Sequence, residues 1–327
     1  MTDAGQRPAG EGELQHELVL AAARERGVEI ADVSAEMGCR AAVLEYRGQV
    51  ELLVKGVMAS AMSLKTKHLC DFKQLTKRVF RALRIPCPRG VLFSSPDDPA
   101  VAEFLAAGRT CVCKPQVAAN GIGVEMDITS VAQVRAYLDR CGHLDCAFLL
   151  EEQLDGVDLR IQVIGGRVAA ACVRVPAYVV GDGEHTLAQL IERRREVMRE
   201  QNPANRLELD HASHALLKAQ GATLDSVPAE GREVRLKRVA NIGQGGHAID
   251  VSDELHPHYR DWVARVVTFC DASYFALDVV CRDHTEDPET QAVALELNAL
   301  AEWAHHTFSE RRTHDLGRLV IDAAFGS

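Results

Sequence analysis

Two apolar runs near the C-terminus, Phe275–Cys281 and Ala292–Asn298, flank an acidic loop at 282–290, and each is interrupted by one acid, Asp278 or Glu296. Runs of this length, rich in aliphatic residues and bounded by turn formers, read as two strands of a hairpin. Centring the hairpin near Asp287 sets Asp278 opposite Glu296. Glu296 and Asn298 are two apart, so their side chains share a face. Both acids are embedded among aliphatics, where an unpaired carboxylate is costly. Two carboxylates and an amide carbonyl, with room left for water and phosphate oxygens, suit magnesium, which takes octahedral oxygen coordination. The competing reading is a pair of exposed acids beside a turn.

The 327 residues, 47% of them apolar, can bury a substantial core in one large or two modest domains. A formal net charge of −10 argues against a protein that coats nucleic acid or an anionic membrane. No stretch approaches the ~20 apolar residues of a membrane helix. Residues 1–13 are mostly Gly, Pro, Ala and acid, without the basic-then-apolar order of a secretory signal. The expectation is a cytoplasmic protein with no nucleic-acid or membrane partner. Ten scattered cysteines form no CxxC pair and read as buried thiols, so neither a zinc site nor a disulfide framework is expected.

Residues 1–12 read as a disordered tail. A helix over 14–26, stopped by Gly27, and short strands at 41–46 and 50–54 make a small α/β unit. The pattern from 65 to 83 is helical and ends at Pro86 and Pro88. A strand at 109–114, a loop to Gly123, a strand at 124–128 and a helix over 130–140 with Ser130 as N-cap follow. After a strand at 147–153, the segment 157–163 alternates strictly, placing Asp158, Arg160 and Gln162 on one face. Gly165-Gly166 turns it back into 167–175. The charged helix predicted over 186–201 has a solvated face, and 202–231 reads as polar and turn-rich.

Lys114, at the end of an apolar strand, offers a fixed positive charge, and the loop around Asn120, Gly121 and Gly123 lets backbone N–H groups approach phosphates. Neither the P-loop nor the G-x-G-x-x-G spacing occurs. Taken alone, two glycines in an ordinary hairpin turn are the favoured account of the loop. Taken in order, Lys73–Lys77, Ile85-Pro86-Cys87-Pro88, Lys114-Pro115, Glu151–Arg160, Arg174-Val175-Pro176, Val180–Thr186, Ser226-Val227-Pro228, Asn241–Gly246 and Glu296-Leu297-Asn298 resemble the motifs of ATP-grasp ligases. The resemblance is to the ATP-grasp portion of cyanophycin synthetases and of bifunctional glutathione synthetases, over about residues 60–325.

That resemblance implies an α+β ATP-grasp fold, with two α/β subdomains clamping ATP after a small N-terminal α/β unit. The corresponding division is 13–70, a lid-bearing subdomain at 71–153 and a catalytic subdomain at 154–327. It further implies that Lys73 and Lys114 contact ATP phosphates under a lid carrying Asn120, Gly121 and Gly123. Glu151, Glu152 and Leu154 would line the adenine hinge, and Asp158 would hold the ribose. Asp278, Glu296 and Asn298 fall on the magnesium positions. Arg160, Arg174, Lys237 and Asn241 are the catalytic candidates, with Arg160 and Arg174 looking like anion-holding residues near substrate or phosphate and ordinary surface arginines as the alternative for those two. A two-residue turn at Gly165-Gly166 would place Arg174 opposite Val157 on the apolar side, so either a bulge is required or the role does not hold.

The implied reaction joins a small carboxylate and an amine, as amino acids or peptides, into an amide through an acyl phosphate, using ATP and Mg2+. Activation with a thiol or another acceptor, or a non-catalytic nucleotide-binding protein, are the alternatives. Departures lie on the substrate side: Lys237 for arginine, Gly243-Gln244 for Ser-Thr, and no proline after Asn298. Phe72, before Lys73, is a further departure. His305 and His306 fall near that substrate edge, with surface or packing histidines as the favoured reading. Lacking a Mur-ligase-like half or a glutamate–cysteine ligase domain, the chain is expected to be a stand-alone ligase, dimeric by analogy.

Overall fold

The computed structural model describes residues 13–117, 123–144 and 146–326. They form two compact units, each discontinuous in sequence. One comprises the described residues of Met1–Ala61, Ala169–Ser252 and Leu300–Ser327; the other comprises those of Met62–Val168 and Asp253–Ala299. The linear division at 70 and 153 is a separate description of the chain and is retained as a proposal.

In the first unit, strands Glu29–Asp32, Ala41–Tyr46, Gln49–Val54 and Val57–Met58 pair antiparallel in chain order. The turn between the second and third needs left-handed backbone at both central residues, and Arg47 and Gly48 have φ of 52° and 80°. Helix Glu13–Glu25 packs against Leu316–Phe325. The approach is close enough that a Cβ on Gly317 would lie 2.7 Å from the Leu18 carbonyl oxygen. Arg26 and Asp322 form an ion pair at 2.7 Å between the ends of these segments.

Elsewhere in this unit, strands Arg167–Val175 and His247–Asp250 pair antiparallel, with Cys172 opposite Asp250 and Arg174 opposite Ala248. Helix Leu187–Gln201 buries Leu187, Leu190, Ile191 and Met198 against Leu207, Leu217, Val234 and Leu236. The stretch read as polar and turn-rich contains a helix, His211–Ala219, started by Asp210 accepting from the Ser213 amide. Its nine residues are too few for a periodic apolar stripe to show against polar flanks.

In the second unit, the sheet order is Gly90–Phe93, Phe148–Glu152, Cys111–Pro115, Glu125–Ile128, with every neighbour antiparallel. Cys111, Cys113, Phe148 and Leu150 face a core completed by Val101, Val134 and Tyr137 from helices Pro99–Ala106 and Val131–Cys141. Ser130 caps the latter as expected. Alternation then turns Lys114, Leu149 and Glu151 to the opposite face. The helical pattern predicted as one segment over 65–83 is two helices, Leu64–Asp71 and Lys73–Ala82. Phe72 separates them with φ −122° and ψ 88°, an extended conformation that ends one helix and opens the next.

The last sheet element of this unit places Val157–Ile164 and Ala292–Asn298 on either side of Phe275–Cys281. Asp278 lies opposite Glu296, as the hairpin reading requires. The ladder slips between Asp278 and Val279, leaving Leu295 unpaired. That bulge shifts the alternation: Ala292, Ala294 and Leu297 are buried, whereas Glu296 and Asn298 join the more open face. No helix among the described residues is long and apolar enough to cross a membrane.

Candidate active site

Helix Lys73–Ala82 has an unusual buried face. Its buried positions are Lys73, Thr76, Lys77 and Phe80, a helical stripe in which two of four residues are cationic. Burying ammonium groups requires a counter-charge, and Glu151 supplies it from the sheet. The Lys77 Nζ lies 2.7 Å from Glu151 Oε2, and Lys114 Nζ forms an ion pair with Oε1 of the same carboxylate. Glu151 is 4% exposed and Lys77 fully buried.

Burial by itself would raise the Glu151 pKa, but the ammonium groups of Lys114 and Lys77 overcome it and hold the carboxyl below the ordinary glutamate range. Desolvation lowers the pKa of Lys73, opposed by Glu296 and reinforced by Lys114. Lys77 is lowered for the same first reason, against the pull of Glu151. Lys77 and Lys114 thus share the Glu151 carboxylate, while Lys73 feels Glu296 first and Glu151 second, and Glu296 acts on Lys77 as well. Three ammonium groups gathered near two carboxylates are placed to meet an anion.

The strand register supplies the other half of the constellation. Arg160 and Glu296 both stand opposite Asp278, one from each neighbouring strand. Arg160 Nη1 donates to Asp278 Oδ1 at 2.8 Å, and Asn298 Nδ2 donates to Asp278 Oδ2 at 3.2 Å. Asp158 shares the face of Arg160 two residues along and is partly buried. The Asn298 amide oxygen and the Glu296 carboxylate complete an all-oxygen donor set of the kind magnesium takes. The residues therefore fit the ion.

Other expected positions fall as follows. Glu152 Oε1 accepts from the Arg89 amide at 2.9 Å, and Leu154 follows in the partly buried connection to the next strand. Gly123 has φ of 68°, and its carbonyl accepts from the Tyr137 hydroxyl at 2.8 Å, anchoring one end of the loop. Asn120 and Gly121 lie outside the described residues. Arg174, Lys237 and Asn241 belong to the first unit, not to the cluster just described. The Lys237 Nζ pairs with Asp210 Oδ2 at 2.7 Å, and Asn241 closes a short turn through its carbonyl, which accepts from the Gly246 amide at 2.9 Å.

Lys77 is the functional candidate that sequence reasoning left unassigned. Its spacing of four from Lys73 was the available signal, since it puts both ammonium groups on one helical face. Cys113 beside Lys114 is packing: burial pushes its thiol up to about 12.

No protein-family profile matches the chain. Cyanophycin synthetase of Trichormus variabilis is 33% identical over 283 residues, covering 82% of this chain and 31% of that protein. The bifunctional glutathione biosynthesis protein of Mannheimia succiniciproducens is 29% identical over 247 residues, covering 73% of this chain and 33% of its own length. The chain thus spans about a third of the length of these curated relatives. A solved bifunctional glutathione synthetase from Pasteurella multocida superposes with a TM-score of 0.70 at 24% identity, over 95% of this chain and 43% of that one. In fold and in sequence, then, this chain is an ATP-grasp protein that resembles the corresponding part of cyanophycin synthetases and bifunctional glutathione-forming proteins.

Proposed function

We propose that the chain is an ADP-forming carboxylate–amine ligase that makes an amide bond between amino acids or small peptides. The observation that carries this reading is the lysine-rich anion site around Glu151, with Glu296 of the Asp278–Glu296–Asn298 set acting electrostatically on two of its lysines. Lys73, Lys77 and Lys114 would hold the phosphates of ATP, and the segment from Glu151 to Leu154 the adenine. Asp158 would take the ribose. Asp278, Glu296 and Asn298 would hold Mg2+, which when bound neutralises charge on the phosphate oxygens.

A carboxylate oxygen of the first substrate attacks the γ-phosphorus, the bond to the β,γ-bridging oxygen breaks, and ADP leaves. The amine of the second substrate then attacks the acyl carbonyl, phosphate departs, and the amine proton passes to solvent or phosphate. The lysines act by position and charge, with no protein nucleophile. Arg160 is placed to restrain Asp278, whereas Arg174, Lys237 and Asn241 are assigned to the substrates. Action in the cytoplasm, without nucleic-acid or membrane partners and as a homodimer, is part of the same proposal.

The test is ADP release with Mg–ATP across pools of amino acids and short peptides, followed by the product mass. A product of the two substrates less water supports the reading; nucleotide binding without turnover in any pool overturns it. Glu296→Ala is expected to cut turnover by about 10³-fold or more, on the scale of losing a transition-state charge contact. Turnover within a few-fold of the parent protein would remove Glu296 from the site.

A further inference from the structure

The strand Arg167–Val175 and the short turn Ala304–Thr307 bring a thiol and two imidazoles together inside the first unit. Cys172 and His306 are fully buried, and His305 is 5% exposed. The Cys172 sulfur and one ring nitrogen from each histidine all lie within 4.8 Å of one another. Neighbours in an extended strand would point apart. Here the tight turn sets the two rings 4.3 Å apart, centroid to centroid. The backbone that does so is pinned: the His306 amide donates to the Trp303 carbonyl at 3.0 Å, and the His306 carbonyl accepts from the His314 amide at 2.9 Å.

A second layer surrounds the cluster. Asp250, the cross-strand partner of Cys172, lies 2.6 Å from His314 Nε2 and accepts from Ser252 Oγ at 2.8 Å. The His314 ring stands edge-on to His306 at 6.3 Å.

We propose that Cys172, His305 and His306 bind a zinc ion. A thiolate and two imidazoles are borderline-soft donors that select zinc over magnesium, so the site is chemically orthogonal to the oxygen set of Asp278, Glu296 and Asn298. Zn–S and Zn–N bonds of about 2.3 and 2.0 Å place tetrahedral donors roughly 3.3–3.6 Å apart, so the observed grouping closes on an ion with side-chain adjustments of about 1 Å. Binding requires the Cys172 thiolate; its proton leaves to solvent, and no redox change occurs. Zinc and one thiolate leave one positive charge in a buried place, and the counter-charge available to it is Asp250, which stands opposite Cys172 on the neighbouring strand and holds His314. Three protein ligands leave a fourth position for water or a small donor. The chain was expected to hold no zinc because its cysteines form no CxxC pair. A one-cysteine site assembled from strand and turn carries no such spacing.

The experiment is a Co2+ titration of the full chain in saturating Mg–ATP, read as thiolate-to-cobalt charge transfer in the near ultraviolet, with Zn2+ as competitor. One equivalent should produce the band, Zn2+ should erase it, and Cys172→Ala should lack it. His306→Ala should weaken binding at least tenfold. Cobalt on the partly exposed His256, His258 and Asp287 group, which has no thiolate, gives no such band. Absence of the band in the parent protein, or an equal band in Cys172→Ala, overturns the proposal. Should Cys172→Ala not fold, X-ray absorption of the zinc-loaded parent protein decides. One sulfur at about 2.3 Å supports the site, and a shell of nitrogen and oxygen alone overturns it.

Discussion

At the scale of single residues, Glu151 concentrates the cost and the use of buried charge. Removing one partner from a buried ion cluster leaves the others uncompensated, which costs about 3–5 kcal/mol. Glu151→Gln should therefore lose stability of that order in urea unfolding at neutral pH, with Lys77 and Lys114 left facing each other's charge. The pH dependence has a fixed sign. Because Glu151 titrates below the ordinary glutamate range when folded, the unfolded chain binds its proton first as pH falls. Its contribution is full above the ordinary glutamate range and lost as pH drops through the folded value. Lys73 and Lys77 are also lowered, so between their folded values and the ordinary lysine range stability rises with pH as well. The acid-side slope should shrink in Glu151→Gln; an unchanged slope would remove Glu151 from this role.

At the scale of elements, the segment Val180–Thr186 shows how a motif can be built from turn and capping contacts. Gly181 donates to the Arg232 carbonyl at 2.8 Å and accepts from the Gly231 amide at 2.9 Å, and a Cβ there would collide with the Ala229 and Pro228 carbonyls. Asp182 Oδ1 accepts from the amides of Glu184 at 3.0 Å and His185 at 2.8 Å. Thr186 opens helix Leu187–Gln201 with a capping box to Gln189. The Ser226-Val227-Pro228 motif docks here too, since the Leu187 amide donates to the Ser226 carbonyl at 2.8 Å. Both motifs build a helix start. Thr186→Ala should cost about 1 kcal/mol and Gly181→Ala about 1–3 kcal/mol in unfolding experiments, with nucleotide affinity unchanged. A tenfold loss of affinity at normal stability would contradict this reading.

The same scale shows what the chain discloses by pattern alone. The pairing of Asp278 with Glu296 was legible because the acids interrupt two apolar runs around one turn, so pairing follows from counting. The bulge at Leu295 was not, because whether a ladder slips depends on which residues the far face must bury. Helix Lys73–Ala82 was legible as helix, but its break at Phe72 was hidden: an aromatic inside an apolar stripe looks the same whether its backbone is helical or extended. The pairing of Lys77 with Glu151 joins residues 74 positions apart, and only the sheet that turns Glu151 away from the Cys111–Phe148 core brings it within reach.

For the whole molecule, the division into units gives a prediction that no single contact supplies. Every described residue assigned to the nucleotide or to magnesium lies in the second unit: Lys73, Lys77, Lys114, Gly123, Glu151, Glu152, Leu154, Asp158, Asp278, Glu296 and Asn298. The substrate-side assignments Arg174, Lys237 and Asn241 lie in the first. A ligand that binds only folded protein suppresses opening by RT ln(1 + [L]/Kd), about 2.7 kcal/mol at a hundred times Kd, which slows exchange of the amides it protects about 100-fold. A non-hydrolysable ATP analogue with Mg2+ should therefore slow hydrogen exchange first in Lys73–Ala82, Cys111–Pro115, Phe148–Glu152 and Phe275–Cys281. Protection in Tyr178–Val180, Glu233–Arg235 and the Asn241–Gly246 turn should await the carboxylate substrate. Equal protection of both sets by nucleotide alone would mean that the first unit's residues serve ATP, and the assignment of Lys237 and Asn241 to the substrate would fall with it.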